Sequence, residues 1–398
     1  MGNNSLHNNF VSFLEEKPLY YKEIDHERVH KAYTLLKPYI RQPLTIHIVG
    51  TNGKGSTGRI MASLLHFSGM KVGHYSSPHI LKFNERMWIE GEDVSDETLS
   101  LAHDKLYAIL GEEMSDALSY FEYTTLLAFV VMEDLDVIVL EAGLGGEFDA
   151  TNVCSKSLSV ITPIGLDHQD FLGNTIEEIA RTKMNSIEKN FVLSMQVYDD
   201  VYTVANSIVE EKKAKMYDVA QWLTSRSQEY MAIKKETDKL AWSDYLFENT
   251  LSALYALNIL ELKYRIEDIS KIKLFGRFYQ LSENIRLDVG HNLLAAKAIT
   301  KALSKEKNKP TLVYNTLEDK DYTNILKLFK PYIQNVEIIE IETPRALASN
   351  LLIDTLENLD ISYEKFDKID PDKSYLVFGS FYVVEAFLNK NQQNIRLY

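Results

Sequence analysis

The sequence predicts an α/β protein with two domains: an N-terminal parallel-sheet domain with a P-loop, residues 1–270, and a smaller C-terminal Rossmann-like α/β domain, residues 271–398. Two observations predict this class. Short apolar runs alternate with helical patterns at the spacing of a parallel sheet covered on both faces. One of these runs ends in a glycine-rich turn that opens a helix. A chain of 398 residues is also long enough for two domains.

The predicted first domain alternates strands and helices from its first apolar run onward. Residues 8–41 precede that run and are predicted to form short helices. Residues 79–93 lose periodicity, which predicts an ordered excursion instead of a linker. Strands are predicted at 46–49, 71–76, 137–140 and 158–164, and helices at 56–66, 95–110, 123–132, 176–187 and 247–264.

The pattern restarts near residue 274 with a hairpin-like pair of short strands, which indicates a domain boundary between 265 and 275. The segments that follow again alternate between strand-like apolar runs and helical hydrophobic patterns. Strands are predicted at 311–314, 336–341 and 375–378, and helices at 293–303, 322–329, 346–356 and 381–388. This alternation predicts a second α/β unit.

Composition excludes several classes of partner. The 57 acidic and 43 basic residues give a net charge of −14, which argues against nucleic acid, because that surface needs clustered Lys and Arg. The one cysteine, Cys154, indicates a reducing compartment. The N-terminus lacks the pattern of a signal peptide, and no run approaches the roughly 18 apolar residues of a membrane span. These features predict a cytoplasmic protein with no membrane partner.

The stretch TIHIVGTNGKGST, residues 45–57, is typical of a phosphate-binding loop. Glycines let loop N–H groups turn inward, the helix start adds a positive dipole end, and Lys54 can reach the outer phosphates of a nucleotide. The match to the general P-loop is imperfect. Ile48 replaces a glycine, and Gly55 stands where Ser or Thr is usual, with Ser56 one place later. The alternative is a turn that binds nothing, but a lysine between two glycines favours phosphate.

Polar residues follow several predicted strands, at the edge of a parallel sheet where ligands collect. Ser77, Glu141 and His168 follow the strands at 71–76, 137–140 and 158–164. A carboxylate at such a position is well placed to hold Mg²⁺ on a nucleotide. Taken alone, Glu141 fits a turn carboxylate equally well, and His168 fits a surface residue.

The second domain also supplies candidates. Asp288 and His291 stand between a predicted strand and a helix, and Arg277 begins the preceding strand-like segment. An Arg and an Asp on a mobile domain could close over a nucleotide, the Arg on phosphates and the Asp on a hydroxyl or amino group.

Ten motifs in a fixed order give these residues a common context. They are GTNGKGS at 50–56, SSPH at 76–79, FNER at 83–86, EAGLGGEFDATN at 141–152, LDHQDFLG at 166–173, GR at 276–277, DVGHN at 288–292, DKD at 319–321, PRA at 344–346 and GSFY at 379–382. The series resembles the folylpolyglutamate synthase and dihydrofolate synthase family within the Mur ligase superfamily, over about residues 45–385.

The resemblance implies an ATP site built from the loop, the linker helix and the second domain. Its residues are Gly53, Lys54, Gly55, Ser56, Asn249, Arg277 and Asp288. His291 is implied as an essential residue nearby. Three further positions, Phe121, Glu122 and Asp149, resemble residues on the pterin side of the substrate site.

The resemblance also implies two Mg²⁺ ions, with Ser77, Glu141 and His168 as ligands. From pattern alone, Lys183 is one more solvated cation. The family carries a carbamoylated lysine at this position. An ammonium beside two Mg²⁺ would be repelled, whereas a carbamate offers oxygen ligands.

The reaction that the resemblance implies is ATP-dependent amide formation. A carboxylate of dihydropteroate or of a folate attacks the γ-phosphoryl group to give an acyl phosphate, and the amino group of L-glutamate then displaces phosphate. The alternatives are another Mur-type amino-acid ligase, or a P-loop kinase or ATPase that makes no amide bond. The family tendency predicts a monomer.

The chain departs from the family pattern at three places. Glu147 stands where GGRxDATN has Arg, which reverses a charge beside the expected pterin site. Residues 182–186, TKMNS, replace the usual EKAG context around Lys183. Leu293 follows DVGHN where the family pattern D-x-A-H-N-P has Pro. None of these removes an expected phosphate or metal contact.

Overall fold

The computed structural model describes residues 10–18, 25, 27–224 and 226–392. The described residues divide into two compact units. Of the described residues, unit 1 comprises those up to Ile164 together with His168–Ile233 and Asn249–Ile269, and unit 2 comprises Gly165–Asp167, Lys234–Glu248 and those from Ser270 onward. Unit 2 therefore includes two short segments that come from within residues 1–270.

An eight-stranded sheet forms the centre of unit 1. Its strands are β1 (Leu44–Val49), β2 (Val72–Tyr75), β3 (Met87–Ile89), β4 (Glu92–Asp93), β5 (Val137–Glu141), β6 (Leu158–Ile161), β7 (Asn190–Leu193) and β8 (Lys215–Asp218). The order is β4-β3-β2-β5-β1-β6-β7-β8. The pairs from β2 to β8 are parallel, and β3 and β4 add an antiparallel edge.

The strand β1 lies in the middle of this sheet. Ile46, Ile48 and Val49 are fully buried, as expected for a parallel strand covered on both faces. On one side β1 pairs with β5, and on the other with β6. The strand order therefore reverses direction at β1, which is where open α/β sheets bind their ligands.

Helices pack against the sheet, and strand residues of both orientations are buried. Those that begin before residue 260 are α1 (Phe10–Glu15), α2 (Arg28–Leu36), α3 (Lys54–Phe67), α4 (Asp96–Ala117), α5 (Tyr120–Val131), α6 (Gln169–Leu172), α7 (Ile176–Met184), α8 (Asp199–Lys212), α9 (Val219–Leu223), α10 (Ser227–Lys239) and α11 (Asp244–Ile259). One apolar cluster includes Leu126, Phe129 and Ile138, and a second includes Ile179 and Phe191. Burial of these side chains holds the helices on the sheet.

Unit 2 is built on a six-stranded sheet. Its strands are β9 (Tyr279–Ser282), β10 (Ile285–Asp288), β11 (Thr311–Tyr314), β12 (Val336–Ile338), β13 (Tyr363–Lys365) and β14 (Tyr375–Phe378), in the order β13-β12-β11-β14-β10-β9. Only the β9–β10 pair is antiparallel among these strands. The further helices are α12 (Leu293–Leu303), α13 (Tyr322–Phe329), α14 (Ser349–Asn358) and α15 (Phe381–Lys390).

The structure confirms the predicted α/β class and the predicted strands in both sheets. The excursion at 79–93 holds a short helical turn, Phe83–Arg86, followed by β3 and β4. Sequence reasoning missed the segment from β7 to β8, which continues the parallel sheet. The short helices expected at 8–41 are found where residues are described, while residues 8–9, 19–24 and 26 lie outside that part. Among the described residues, no helix combines the length and apolarity needed to span a bilayer.

Candidate active site

The glycine loop joins β1 to α3. The strand ends at Val49 and the helix begins at Lys54. Within the loop, the N–H groups of Thr51 and Asn52 donate to the Pro163 carbonyl oxygen at 3.0 and 3.1 Å. The N–H groups of the first helical turn have no acceptor within the helix, and the helix dipole adds positive potential there. The start of α3 is therefore suited to an anion such as a phosphate.

The residue Gly53 closes the loop in a conformation that favours glycine. Its φ is 84°, and a Cβ atom built at this position would lie 2.6 Å from Asn249 Oδ1. The Asn249 amide also donates to Ser56 Oγ at 2.8 Å, and that hydroxyl donates to the Gly53 carbonyl at 3.1 Å. Asn249 therefore lies directly against the loop, and its role as a nucleotide contact stays a prediction.

Two lysines converge on one carbonyl oxygen. Lys54 Nζ donates to Gly50 O at 3.2 Å and to Thr51 O at 3.3 Å, and Lys183 Nζ donates to the same Gly50 O at 3.0 Å. The Glu141 carboxylate lies 4.0 Å from Lys54 Nζ. Two lysine side chains thus lie at the loop, in a protein whose net charge is −14. Their N–H groups can serve an anionic ligand beside the loop.

The carboxylate of Glu141 stands at the end of β5, beside the P-loop strand. Glu141 pairs with Ile48 in register, and the following N–H, that of Ala142, donates to Ile48 O at 3.0 Å. Only 5% of Glu141 is exposed. The parallel pairing of β5 with β1 thus places this carboxylate at the carboxyl end of the sheet, as predicted.

A second loop, after β2, carries Ser77. The Glu85 carboxylate organises this loop by accepting from the N–H groups of residues 80–82 at 2.7, 2.8 and 2.8 Å. Arg86 Nε donates to His79 Nδ1 at 2.9 Å. Sequence reasoning identified the FNER motif without a role for its members. The structure shows that Glu85 holds the backbone of residues 80–82 and that Arg86 holds the His79 ring, in the loop that carries Ser77.

The residue His168 begins α6 with an unusual backbone. Its φ of 51° and ψ of 42° lie in the left-handed region, which costs a non-glycine residue roughly 1–3 kcal/mol. The N–H groups of Phe171 and Leu172 both donate to the His168 carbonyl at 3.0 Å. His168 is thus held in a strained conformation by the short helix that follows it.

The donors that could hold a metal are the Ser77 hydroxyl after β2, the Glu141 carboxylate at the end of β5 and the His168 imidazole after β6. Across residues 10–18, 25, 27–224 and 226–392, no three His, Cys, Asp or Glu side chains are grouped as a metal site. Mg²⁺ commonly takes one or two protein carboxylates together with phosphate oxygens and water. Glu141 beside the glycine loop fits that mode of binding, in which a nucleotide supplies part of the coordination.

The ring of Phe121 lies against the loop that begins at Glu141. A Cβ atom at Gly143 would lie 2.6 Å from Phe121 Cζ, so this close approach requires glycine. The ring also stacks on Tyr75, with centroids 6.2 Å apart and an interplanar angle of 29°. Phe121 is therefore an aromatic surface next to the candidate phosphate and metal residues.

The carboxylate of Glu122 has a structural role in this chain. Its Oε2 accepts from Arg28 Nη2 at 2.8 Å and from the Ser119 N–H at 2.7 Å. The Ser119 hydroxyl in turn accepts from the Glu122 N–H, which completes a capping box at the start of α5. The pterin-side assignment of Glu122 stays a prediction.

The carboxylate of Asp149 is the centre of a buried network. Its Oδ1 accepts from Thr151 Oγ1 and N at 2.5 and 3.0 Å, and its Oδ2 accepts from Leu144 N at 2.8 Å. Because Thr151 Oγ1 donates to Asp149, it accepts from His47 Nε2, 2.8 Å away. Burial raises the pKa of Asp149 and lowers that of His47 to about 3. Asp149 therefore organises the 141–152 loop, and its pterin-side role stays a prediction.

In unit 2, Asp288 is held by several donors at the end of β10. Tyr245 Oη donates to its Oδ2 at 2.9 Å, and the Gly290 N–H donates to its Oδ1 at 2.7 Å. Burial raises the pKa of Asp288, an effect that the charge of Arg277 opposes. The Arg277 guanidinium lies 5.3 Å from the centre of the Phe381 ring. The structure thus brings Arg277 and Asp288 into one neighbourhood.

The residue Asp167 is a member of this neighbourhood that sequence reasoning missed. It accepts from Lys320 Nζ at 2.7 Å and from Asn292 Nδ2 at 3.1 Å, and His291 Nε2 lies 3.6 Å from its Oδ2. The signal was present, since Asp167 and Lys320 stand in the LDHQDFLG and DKD motifs. Their pairing across 153 positions could not be inferred from local pattern.

Comparisons with known proteins agree with this geometry. The family model of the Mur ligase middle domain matches residues 48–280. A relative from Haemophilus influenzae, named dihydrofolate synthase/folylpolyglutamate synthase, is 30% identical over 95% of this chain and 96% of its own length. The chain belongs to the folylpolyglutamate synthase and dihydrofolate synthase family of Mur ligases. The sequence-based resemblance is thereby confirmed.

Solved structures of this family have the same fold. Helicobacter pylori folylpolyglutamate synthetase has a TM-score of 0.77 and 37% identity, over 96% of this chain and 98% of the other. Escherichia coli FolC in complex with DHPP and ADP has a TM-score of 0.79 and 28% identity, over 96% and 97%. A bifunctional folylpolyglutamate synthase/dihydrofolate synthase with Mn, AMPPNP and L-glutamate bound has a TM-score of 0.78 and 27% identity. The match covers 96% of this chain and 97% of the other.

Proposed function

We propose that the protein is an ATP-dependent ligase that adds L-glutamate to dihydropteroate, to folates, or to both, through an acyl phosphate. One observation carries the proposal: Lys54, Lys183 and Glu141 meet beside a glycine loop that Asn249 contacts, in a member of the folate ligase family. This set provides positive charge for the transferring phosphoryl group and a carboxylate for a divalent metal.

The chain's own groups prepare ATP for attack. The N-terminus of α3 and the loop from Gly53 to Ser56 bind the phosphates, and Lys54 leaves its resting contacts with Gly50 and Thr51 to reach them. A divalent metal, when bound, neutralises phosphate charge and orients the γ-phosphoryl group. Asn249 fixes Ser56 and the loop conformation. These contacts oppose the repulsion between three anionic substrates.

The substrate carboxylate is proposed to approach from the side of Phe121. The ring stacked on Tyr75 offers a flat apolar surface, which suits the pterin of dihydropteroate or of a folate. The Escherichia coli relative binds DHPP and ADP in its crystal structure, and the bifunctional relative binds Mn, AMPPNP and L-glutamate. These ligands support the same substrates and a divalent metal for this chain.

We also propose that Lys183 acts as a carbamate and that two metal ions bind. Lys183 is buried, with 5% of its surface exposed, and its Nζ lies at the glycine loop near a second ammonium. A buried amine at the glycine loop is well placed to present the oxygen atoms of a carbamate to metal ions beside the phosphates. Replacing Lys183 with Ala is expected to abolish turnover, with partial rescue by short carboxylic acids. No rescue would count against the carbamate.

The test of the function is a defined reaction. The purified protein is incubated with MgATP, dihydropteroate and L-glutamate, and both phosphate release and product mass are measured. Equal amounts of phosphate and of a product heavier by one glutamyl group are expected. Tetrahydrofolate as the acceptor then shows whether the enzyme also elongates folates. Phosphate release that does not need glutamate, with no mass gain, would identify an ATPase and reject the ligase.

A further inference from the structure

The loop that begins at Glu141 lies against the end of α7, the helix that carries Lys183. A Cβ atom at Gly146 would lie 2.4 Å from the Lys183 carbonyl oxygen. The backbone of the loop therefore packs directly against the backbone of α7. The next N–H, that of Glu147, donates to Thr182 O at 3.0 Å. These contacts fix the main chain on both sides of Lys183.

Side chains strengthen the same contact. Asn185 Nδ2 donates to Glu147 Oε2 at 2.7 Å, and Asn152 Nδ2 donates to the Glu147 carbonyl at 2.7 Å. Lys212 Nζ donates to the carbonyl oxygens of Asn185 and Ile187, which follow the end of α7, at 2.5 and 2.9 Å. Glu147 and Asn185 thus join the loop to the turn that follows Lys183.

The side chain of Lys183 is held at its other end by the glycine loop. Its Nζ donates to Gly50 O at 3.0 Å, and Ser186 Oγ donates to the Lys183 carbonyl at 2.8 Å. A change in the turn after Lys183 would therefore move the amine relative to Gly50 and Lys54. Displacement of a reacting group by about 1 Å is enough to lower a rate strongly.

Glu147 and Asn185 are also places where the chain departs from the family pattern, in GGRxDATN and in EKAG. The two departures contact each other directly. The Asn185 amide gives the Glu147 carboxylate a hydrogen-bond donor, which the glycine of EKAG at this position could not supply. The carboxylate at 147 is therefore hydrogen-bonded within this chain.

We infer that Glu147 and Asn185 form a positioning pair that sets the location of the Lys183 amine. The catalytic part of this inference rests on the proposed function, because it assumes that Lys183 acts in the reaction. The positional part does not, since the amine can be located without turnover. The pair touches no reacting atom and acts only through Lys183.

The experiment measures the amine and the reaction separately. The variants are Glu147→Ala, Asn185→Ala, their double substitution and the conservative Glu147→Gln, with Glu177→Ala as control because Glu177 is exposed on the same helix. In CO₂-depleted buffer, N-hydroxysuccinimidyl acetate labels the folded proteins, and mass spectrometry follows acetylation of Lys183. Exposed Lys365 serves as the internal reference for reagent activity, and buried Lys17, in the same unit as Lys183, reports any unfolding. The same proteins are assayed for kcat and for KM for ATP.

Loss of the hydrogen bond is expected to raise the Lys183 labelling rate about fivefold and to lower kcat by about tenfold, with KM for ATP within about twofold. The double variant should resemble each single one, and Glu147→Gln should resemble wild type. Labelling and kcat unchanged in both single variants, or fully additive effects, would overturn the inference. A wild-type protein that forms no product but shows the expected labelling would reject the proposed function and support the positioning of Lys183.

Discussion

At the scale of single residues, Glu141 should affect turnover most. The isosteric change Glu141→Gln removes the carboxylate next to Lys54 and should lower kcat about 100- to 1000-fold, because the proposed ligand of the metal that stabilises the phosphoryl group is lost. Product formation measured by mass, with saturating MgATP, checks this. Glu133→Gln is the control, since Glu133 pairs with Lys105 away from the loop. A Glu141→Gln rate close to the control rate would show that Glu141 is not a metal ligand.

The buried His47 predicts how unit 1 responds to acid. Its pKa is about 3 in the folded protein because burial disfavours the charged ring, against an ordinary value of 6.5. The unfolded chain therefore binds a proton first as pH falls below 6.5. The contribution of His47 to the free energy of unfolding is fully present above pH 6.5. It falls by about 1.4 kcal/mol per pH unit as the pH decreases towards 3.

The variant His47→Gln should be less stable at pH 7 but should lose less stability between pH 6.5 and 4.5. Urea unfolding midpoints at several pH values measure the difference, and exposed His30→Gln is the matched control. Parallel pH profiles for wild type and His47→Gln would mean that His47 is not the residue responsible.

Some site residues could be read from sequence because their position in a local pattern determines where they lie. Lys54 follows a strand and opens a helix, and Glu141 ends an apolar strand, so both were expected at the carboxyl end of the sheet. Glu85 and Asp167 could not be read in this way. Glu85 binds backbone N–H groups of a loop, and Asp167 pairs with Lys320. Neither contact produces a repeating pattern in the nearby sequence.

At the scale of elements, the turn between β1 and α3 can be tested with two glycines of equal φ. Gly53 and Gly69 both have a φ of 84°, but only Gly53 lies against Asn249, while a Cβ atom at Gly69 meets nothing within 4 Å. Gly53→Ala should therefore weaken nucleotide binding at least about tenfold, whereas Gly69→Ala should cost only about 1 kcal/mol of stability. Calorimetric titration with ATP measures the first effect and thermal unfolding the second. Equal ATP affinities in the two variants would contradict the loop assignment.

Helices and strands with a clear hydrophobic pattern were predicted well, and those without such a pattern were not. The apolar runs of β1, β5 and β14 are buried on both faces and are visible in sequence. The edge strands β4 and β8 are two and four residues long and contain charged residues, so they resemble loops. Their pairing with neighbours, not their own composition, makes them strands.

At the scale of the whole molecule, the ordered motifs identified the family before any single residue did. Local patterns could not give the strand orders, since these depend on which strands pair across long crossovers. Nor could they show that the segments Gly165–Asp167 and Lys234–Glu248 pack with unit 2. Cytoplasmic location and a monomeric state stay predictions.

The assignment of Arg277 in unit 2 as a nucleotide contact leads to a last prediction. Arg277→Ala should raise the Kd for ATP about tenfold, because a charged hydrogen bond to phosphate is worth more than a neutral one. Arg286→Ala is the matched control, since Arg286 lies on β10 and pairs with Glu306. Calorimetry gives Kd without relying on turnover, and thermal unfolding shows whether each variant is folded. An Arg277→Ala affinity within about twofold of the control would leave the glycine loop of unit 1 as the nucleotide's main contact, and would remove Arg277 from the predicted ATP site.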